Sequence, residues 1–165
     1  MKWTTSFATL TLVAAMTGGV QAASASSSDA SFVKTAQADL LGQYALAALA
    51  KNKAQDPQLK AIATQVATNA GKATNFLKSY AASHGVAIDN APTVRADAQY
   101  GNIQSLSGKA FDQGYAQALN VDAQMQLSDF QDEAQSGSDP ALKSFAKQEA
   151  SILQQASTVA EKLSR

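Results

Sequence analysis

The chain has 165 residues, 13 basic against 13 acidic, and no cysteine. That length allows one domain with a proper core. The charge balance gives no reason to expect nucleic acid or an anionic membrane as partner, and the lack of cysteine excludes disulfides, thiolate metal sites and a cysteine nucleophile. With only 3 Pro, 9 Gly and 7% aromatics, in a sequence rich in Ala, Gln, Ser, Lys and Leu, the composition is that of a helical protein.

The N-terminus reads as a targeting segment. Met1-Lys2-Trp3 is a short basic start, residues 7–16 are apolar, and Val20-Gln21-Ala22 presents small residues where a signal peptidase cuts. Residues 1–22 are therefore expected to be a cleaved signal peptide, with the cut between Ala22 and Ala23. A membrane anchor is the alternative, but the apolar run falls short of the roughly 20 residues that span a bilayer. The expected product is exported to the periplasm or secreted, with no stable membrane insertion. Losing Lys2 leaves 12 basic residues against 13 acidic ones.

Residues 23–28 form a small polar leader, and residues 29–165 the folded domain. Ser28 or Asp29 is expected to cap a first helix whose stripe runs Phe32, Val33, Ala36, Leu40, Tyr44, Ala47 and Ala48, ending near residue 54. The turn at Gln55-Asp56 is short, so the second helix must fold back antiparallel. It starts at Pro57, carries Leu59, Ile62, Ala63, Val66, Ala70, Ala73, Leu77 and Tyr80, and stops at His84-Gly85. Residues 86–93 carry turn chemistry, and a short helix is expected at 97–104 before a break at Ser107-Gly108. A third long helix spans about 109–135, on Phe111, Tyr115, Leu119, Ala123, Leu127, Phe130 and Ala134; Gly114 inside it is either tolerated at a cost of about 1 kcal/mol against alanine or marks a close helix contact. The last helix opens at Pro140 with a seven-residue stripe of Leu142, Phe145, Glu149, Ile152, Ala156, Val159 and Leu163.

One stretch occurs twice. Asp56-Pro57-Gln58-Leu59-Lys60 and Asp139-Pro140-Ala141-Leu142-Lys143 both place aspartate at an N-cap and proline at N1. A shift of 83 residues carries Asp56 to Asp139 and continues through Gln65 and Gln148 to Ala73 and Ala156, which supports an internal duplication. Phe32 and Phe111 read as the matching aromatics that open the two preceding helices. Two helical hairpins joined by a longer connection give an all-α, antiparallel four-helix bundle of ferritin-like plan.

Such a bundle invites a search for inward metal ligands, Glu and Glu-x-x-His. The single histidine, His84, lies at a helix end with Ala81 three residues before it, and reads as a capping residue. Glu149 alone sits on an apolar stripe, where a carboxylate lies at the bundle's edge, is hydrogen-bonded, for instance to Gln43 or Tyr44, or has a raised pKa. Asp122 and Asp129 share a face, seven residues apart, and read as solvated. Together with Glu149 they make a weak carboxylate-only metal alternative. Serines lack a base to activate them, no phosphate loop is present, and the aromatics, Tyr44 among them, read as core. No catalytic residue and no cofactor is expected.

The motifs Asp29-Ala30-Ser31-Phe32-Val33, Leu59-Lys60-Ala61-Ile62-Ala63 and, most specifically, Leu106-Ser107-Gly108-Lys109-Ala110-Phe111-Asp112-Gln113-Gly114-Tyr115 resemble the bacterial domain-of-unknown-function family 4142. The Asp139 helix start and the Ala160-Glu161-Lys162-Leu163 ending also fit, so the likeness spans residues 29–163. It implies a ferritin-like fold and an envelope location, and no settled activity. The family pattern carries histidines in the second, third and fourth long helices, where this chain has Asn69-Ala70, Asp122-Ala123 and Ala156. It commonly has a glutamate near Gln43. The resemblance thus implies a member whose polar centre is lost. Three functions remain open: a non-enzymatic envelope protein acting through protein contacts or as a stress accessory, a carboxylate-only metal binder, and a carrier holding a small apolar ligand among its alanines.

Overall fold

The computed structural model describes residues 24–164. The expected signal segment and its cut at Ala22 and Ala23 lie outside them. Among the described residues there are five helices and no strand: α1 (Ser27–Lys53), α2 (Pro57–His84), α3 (Val94–Gln104), α4 (Gly108–Ser136) and α5 (Pro140–Leu163).

Local chemistry sets the boundaries. Asp56 accepts hydrogen bonds from the amides of Gln58 and Leu59, and Asp139 from those of Ala141 and Leu142, so both Asp-Pro pairs cap helices as their sequence dictates. Gly85 ends α2 in the left-handed region. The first cap is Ser26, two to three residues earlier than expected: its hydroxyl accepts from the amide of Asp29. Asp29 is thereby released for another task.

α1 packs along α2 and α4 along α5, as two hairpins, and these meet through α1 with α4 and α2 with α5. The short α3 lies across α1 and α4. Its seat on α1 is Gly42, where an added Cβ would collide with the Cβ of Ala96. Gly114 is likewise a contact point, since a Cβ there would lie 2.9 Å from Leu106, just beyond α3. The buried stripe of α5 drifts from the seven-residue repeat, burying Leu153 and Ala160 more fully than Ile152 and Val159. A straight helix of 3.6 residues per turn produces that drift. Tyr44, expected in the core, is 47% exposed and lies over Gly71 on the outside of the first hairpin.

The core forms two apolar clusters, one toward each end. One holds Leu46 to Ala54, Leu59 to Ala67, Phe111 to Leu119, Ala156 and Ala160; the other holds Val33 to Leu40, Ala70 to Ala81, Ala123 to Phe130 and Leu142 to Leu153. Every long helix crosses from one cluster to the other near its middle, at the level of Gln43, Ala70, Asp122 and Ala156.

Candidate functional site

At that middle level α1 and α4 bring Asp39 and Asp122 to a single guanidinium, that of Arg95 on α3. Arg95 Nη1 donates to Asp122, and Nη2 lies 3.4 Å from Asp39 Oδ1. The shift of 83 residues that relates the Asp-Pro starts also carries Asp39 to Asp122 and Gln43 to Gln126. One arginine is therefore shared by a duplicated carboxylate.

A second reciprocal pair fixes the geometry. Asp29, 1% exposed in the first turn of α1, accepts from the amides of Ser138 and Asp139 in the turn of the second hairpin. Asp112, in the first turns of α4, accepts from the amides of Gln55 and Asp56 in the turn of the first hairpin. Asp29 and Asp112 are again related by 83 residues. Residue i of one half meets j of the other and the mate of j meets the mate of i, which is the signature of a two-fold relation. Phe32 thus corresponds to Tyr115, and not to Phe111 as its place at the helix start suggested. Arg95 stands where the relation places its axis, between the equivalent aspartates.

Burial raises the carboxyl pKa of Asp122, opposed by the hydrogen bond and charge of Arg95. Asp39 is raised chiefly by burial, with Arg95 opposing and the charges of Asp122 and Asp129 adding. Behind them the Tyr115 hydroxyl is buried without a partner, and desolvation, with the charge of Asp122, holds its proton on. Gln37, Gln99 and Gln126 also bury amide oxygens without partners.

The other predicted residues lie apart from the clasp. Glu149 is buried on α5, and desolvation alone pushes its pKa to about 7. No bond to Gln43 or Tyr44 satisfies it. Asp129 is exposed and lines a hollow between the start of α1 and the end of α4. Asp122, read as solvated, is buried. Glu149 is joined in the interior by Asp29, Asp122 and Glu133, none of which the stripes revealed. Glu133 is raised to about 7 by desolvation and by the nearby Asp29. His84 does close a helix end: its Nδ1 lies 2.9 Å from the Tyr80 carbonyl, its ring stacks on Tyr80, and Nε2 lies 3.9 Å from Asp139. Among the described residues no group of three or more His, Asp or Glu is placed to hold a metal ion, and no helix is long and apolar enough to cross a membrane.

Sequence reasoning missed Arg95 and Asp39. Extending the 83-residue shift back into the first helix was the signal that reaches Asp39; Arg95 has no counterpart to find it by. Ala70, Ala123 and Ala156, where the resemblance led histidines to be expected, are at most 2% exposed and belong to the apolar clusters. Their methyl groups pack against neighbouring helices at the level of the clasp.

Comparison with known proteins agrees with this architecture. The family model described as a domain of unknown function, DUF4142, matches residues 14–163. No curated protein matches the chain. Among solved structures, a crystal structure of a DUF305 fragment from Deinococcus radiodurans superposes with a TM-score of 0.75, covering 84% of this chain and 96% of that one. At 11% identity that likeness concerns the fold alone.

Proposed function

The chain belongs to the DUF4142 family, and from that premise we propose an exported, non-enzymatic four-helix bundle of ferritin-like plan, acting in the periplasm or envelope through protein contacts. The carrying observation is the Arg95 clasp. The two carboxylates best placed for inward chemistry are held by a fixed cation of the chain itself, and Ala70, Ala123 and Ala156 offer methyl groups at the same level. An arginine cannot be deprotonated at physiological pH, so a fixed cation always offsets one of the two carboxylate charges. The apolar run at 7–16 and the small residues before Ala23 support export.

Two measurements test this reading. Produced in a Gram-negative host, the protein is expected in the periplasmic fraction with Ala23 as its first residue, read by N-terminal mass analysis. Metal analysis of that material is expected to find no stoichiometric iron, manganese or copper. A stoichiometric metal favours the second reading, the carboxylate-only alternative at Asp122, Asp129 and Glu149. Among the described residues no three acids converge on a point, so that alternative requires side chains to move.

A further inference from the structure

The face that α1 and α4 share is covered over only one half. There the end of α3 and its following turn sit between the C-terminal part of α1 and the N-terminal part of α4. Ile103 is buried in the core, Leu106 seats on Gly114, and Lys53 Nζ donates to the carbonyls of Gln104, at 2.6 Å, and Leu106, at 2.7 Å. Leu46 and Leu49 of α1 belong to, or pack on, the same cluster.

The 83-residue shift transports this seat to the other half of the face. Leu46 becomes Asp129, Leu49 becomes Asp132, Ala50 becomes Glu133, Lys53 becomes Ser136, Gly114 becomes Ser31 and Tyr115 becomes Phe32. All six of these counterparts line one open hollow of about 400 Å³. The backbone scaffold that receives a chain segment at one end is therefore repeated at the other, with no segment of the described chain lying in it. The apolar contacts have been exchanged for carboxylates and hydroxyls around one aromatic ring.

Asp129 and Asp132 bring two exposed carboxylates to the hollow. No basic side chain forms an ion pair with Asp129, Asp132 or Glu133 among the described residues. Lys143 comes near Glu133, but its ammonium donates to the carbonyl of Gln135. Glu133 is only 6% exposed and its carboxyl faces that of Asp29, but its Oε1 is buried without a partner. Its carboxyl rests against Gly137, where any Cβ would collide with it. Phe32, braced edge-on by Phe130 at 5.1 Å, supplies an apolar surface for the stem and a ring face for the head of a cationic side chain. A bare metal ion fits poorly, since no three acids converge on a point and the space is many times an ion's size.

We propose that this hollow, the open counterpart of the α3 seat, docks a Lys- or Arg-bearing segment of a partner protein. Charge complementarity selects the basic segment, and the filled seat across the two-fold shows that the scaffold accommodates polypeptide. The proposal rests on the reading that the protein works through contacts, and is independent of where the protein resides.

The test is fluorescence anisotropy with the full chain and a fluorescein-labelled amphipathic peptide of alternating leucine and lysine, against its glutamate counterpart. The basic peptide is expected to bind and the acidic one not. D129N/D132N removes two exposed charges, so circular dichroism is expected to be unchanged while binding weakens about tenfold. S31R, which brings a guanidinium into the hollow from the chain itself, is expected to block binding. D97N, on the exposed start of α3, is expected to leave it unchanged. Equal binding of both peptides, or equal effects of D97N and D129N/D132N, overturns the proposal. So does spermidine or calcium chloride binding as tightly as the peptide, which makes the hollow a site for free cations. Failure here with a periplasmic, metal-free protein leaves the export reading standing.

Discussion

A buried carboxylate with no partner has a simple thermodynamic consequence, and Glu149 displays it. Its folded pKa of about 7 lies above the ordinary value of 4.5 because burial disfavours the charged form. Below the ordinary value both folded and unfolded chains hold the proton, and the fold suffers no penalty. As pH rises the unfolded chain ionises first, so stability falls until pH passes the folded pKa and is flat above it. The difference amounts to about 3 kcal/mol. E149Q is expected to match the parent at pH 4 and to be more stable at pH 8, by up to about that amount, in urea unfolding. Parallel pH profiles for the two proteins would show that Glu149 is solvated. Asp39, Asp122 and Glu133 are raised as well, so the variant's profile is expected to flatten without becoming level. Arg95 acts in the opposite sense. R95Q leaves two partly buried carboxylates facing each other, and is expected to cost about 1–3 kcal/mol at pH 7. D122N added to R95Q is expected to return part of that loss, since it removes one of the two charges; a purely additive double variant would refute the clasp.

At the scale of elements, each hairpin turn is tied by a carboxylate from the other hairpin. D29A and D112A each leave two turn amides without an acceptor, and each is expected to cost about 1–3 kcal/mol. Hydrogen exchange locates the effect: D29A is expected to speed exchange at Ser138 and Asp139, D112A at Gln55 and Asp56, each sparing the other turn. Exchange rising equally everywhere would mean that the ties are incidental. These ties give a physical reason for the Asp-x-x-aromatic pattern at Asp29-Ala30-Ser31-Phe32 and Asp112-Gln113-Gly114-Tyr115, which sequence alone presented as a family motif. The seat of α3 is equally testable. G42A puts a methyl group into Ala96 and is expected to destabilise by about 1–3 kcal/mol through overpacking, with A96G restoring part of it. The long helices were legible because Asp-Pro starts, a glycine stop and apolar periodicity are local signals. α3 was only partly legible, because a guanidinium across two helices, a glycine under an alanine and one buried isoleucine are tertiary facts. Tyr44 misled for the same reason: its spacing suits the core stripe, but the helix turns that position toward Gly71 and solvent.

The whole molecule is best understood as one hairpin used twice, and this explains which part of the site the sequence concealed. A duplication signal confined to the helix starts is invisible where function or packing has since separated the halves. Thus Leu46 and Asp129 share a place in the fold and nothing in chemistry. The two-fold reading makes a demanding prediction about the first hairpin alone, residues 24–91. Both apolar clusters draw on all four long helices, so this fragment exposes a full apolar face and is not expected to fold as a monomer. Two copies, however, can restore the shared face, with α1 of one taking the place of α4 against α1 of the other. In that dimer Asp39 faces Asp39 and Arg95 is missing. Like carboxylates at close range cannot both ionise cheaply, so the dimer is expected to be favoured by acid. Circular dichroism and sedimentation are expected to show helix content that rises with concentration, with stronger association at pH 5 than at pH 8. The D39N fragment is expected to lose that pH dependence while still associating. A fragment that is helical and monomeric at micromolar concentration, or whose association ignores Asp39, would mean that the reciprocity of the two hairpins is not a two-fold.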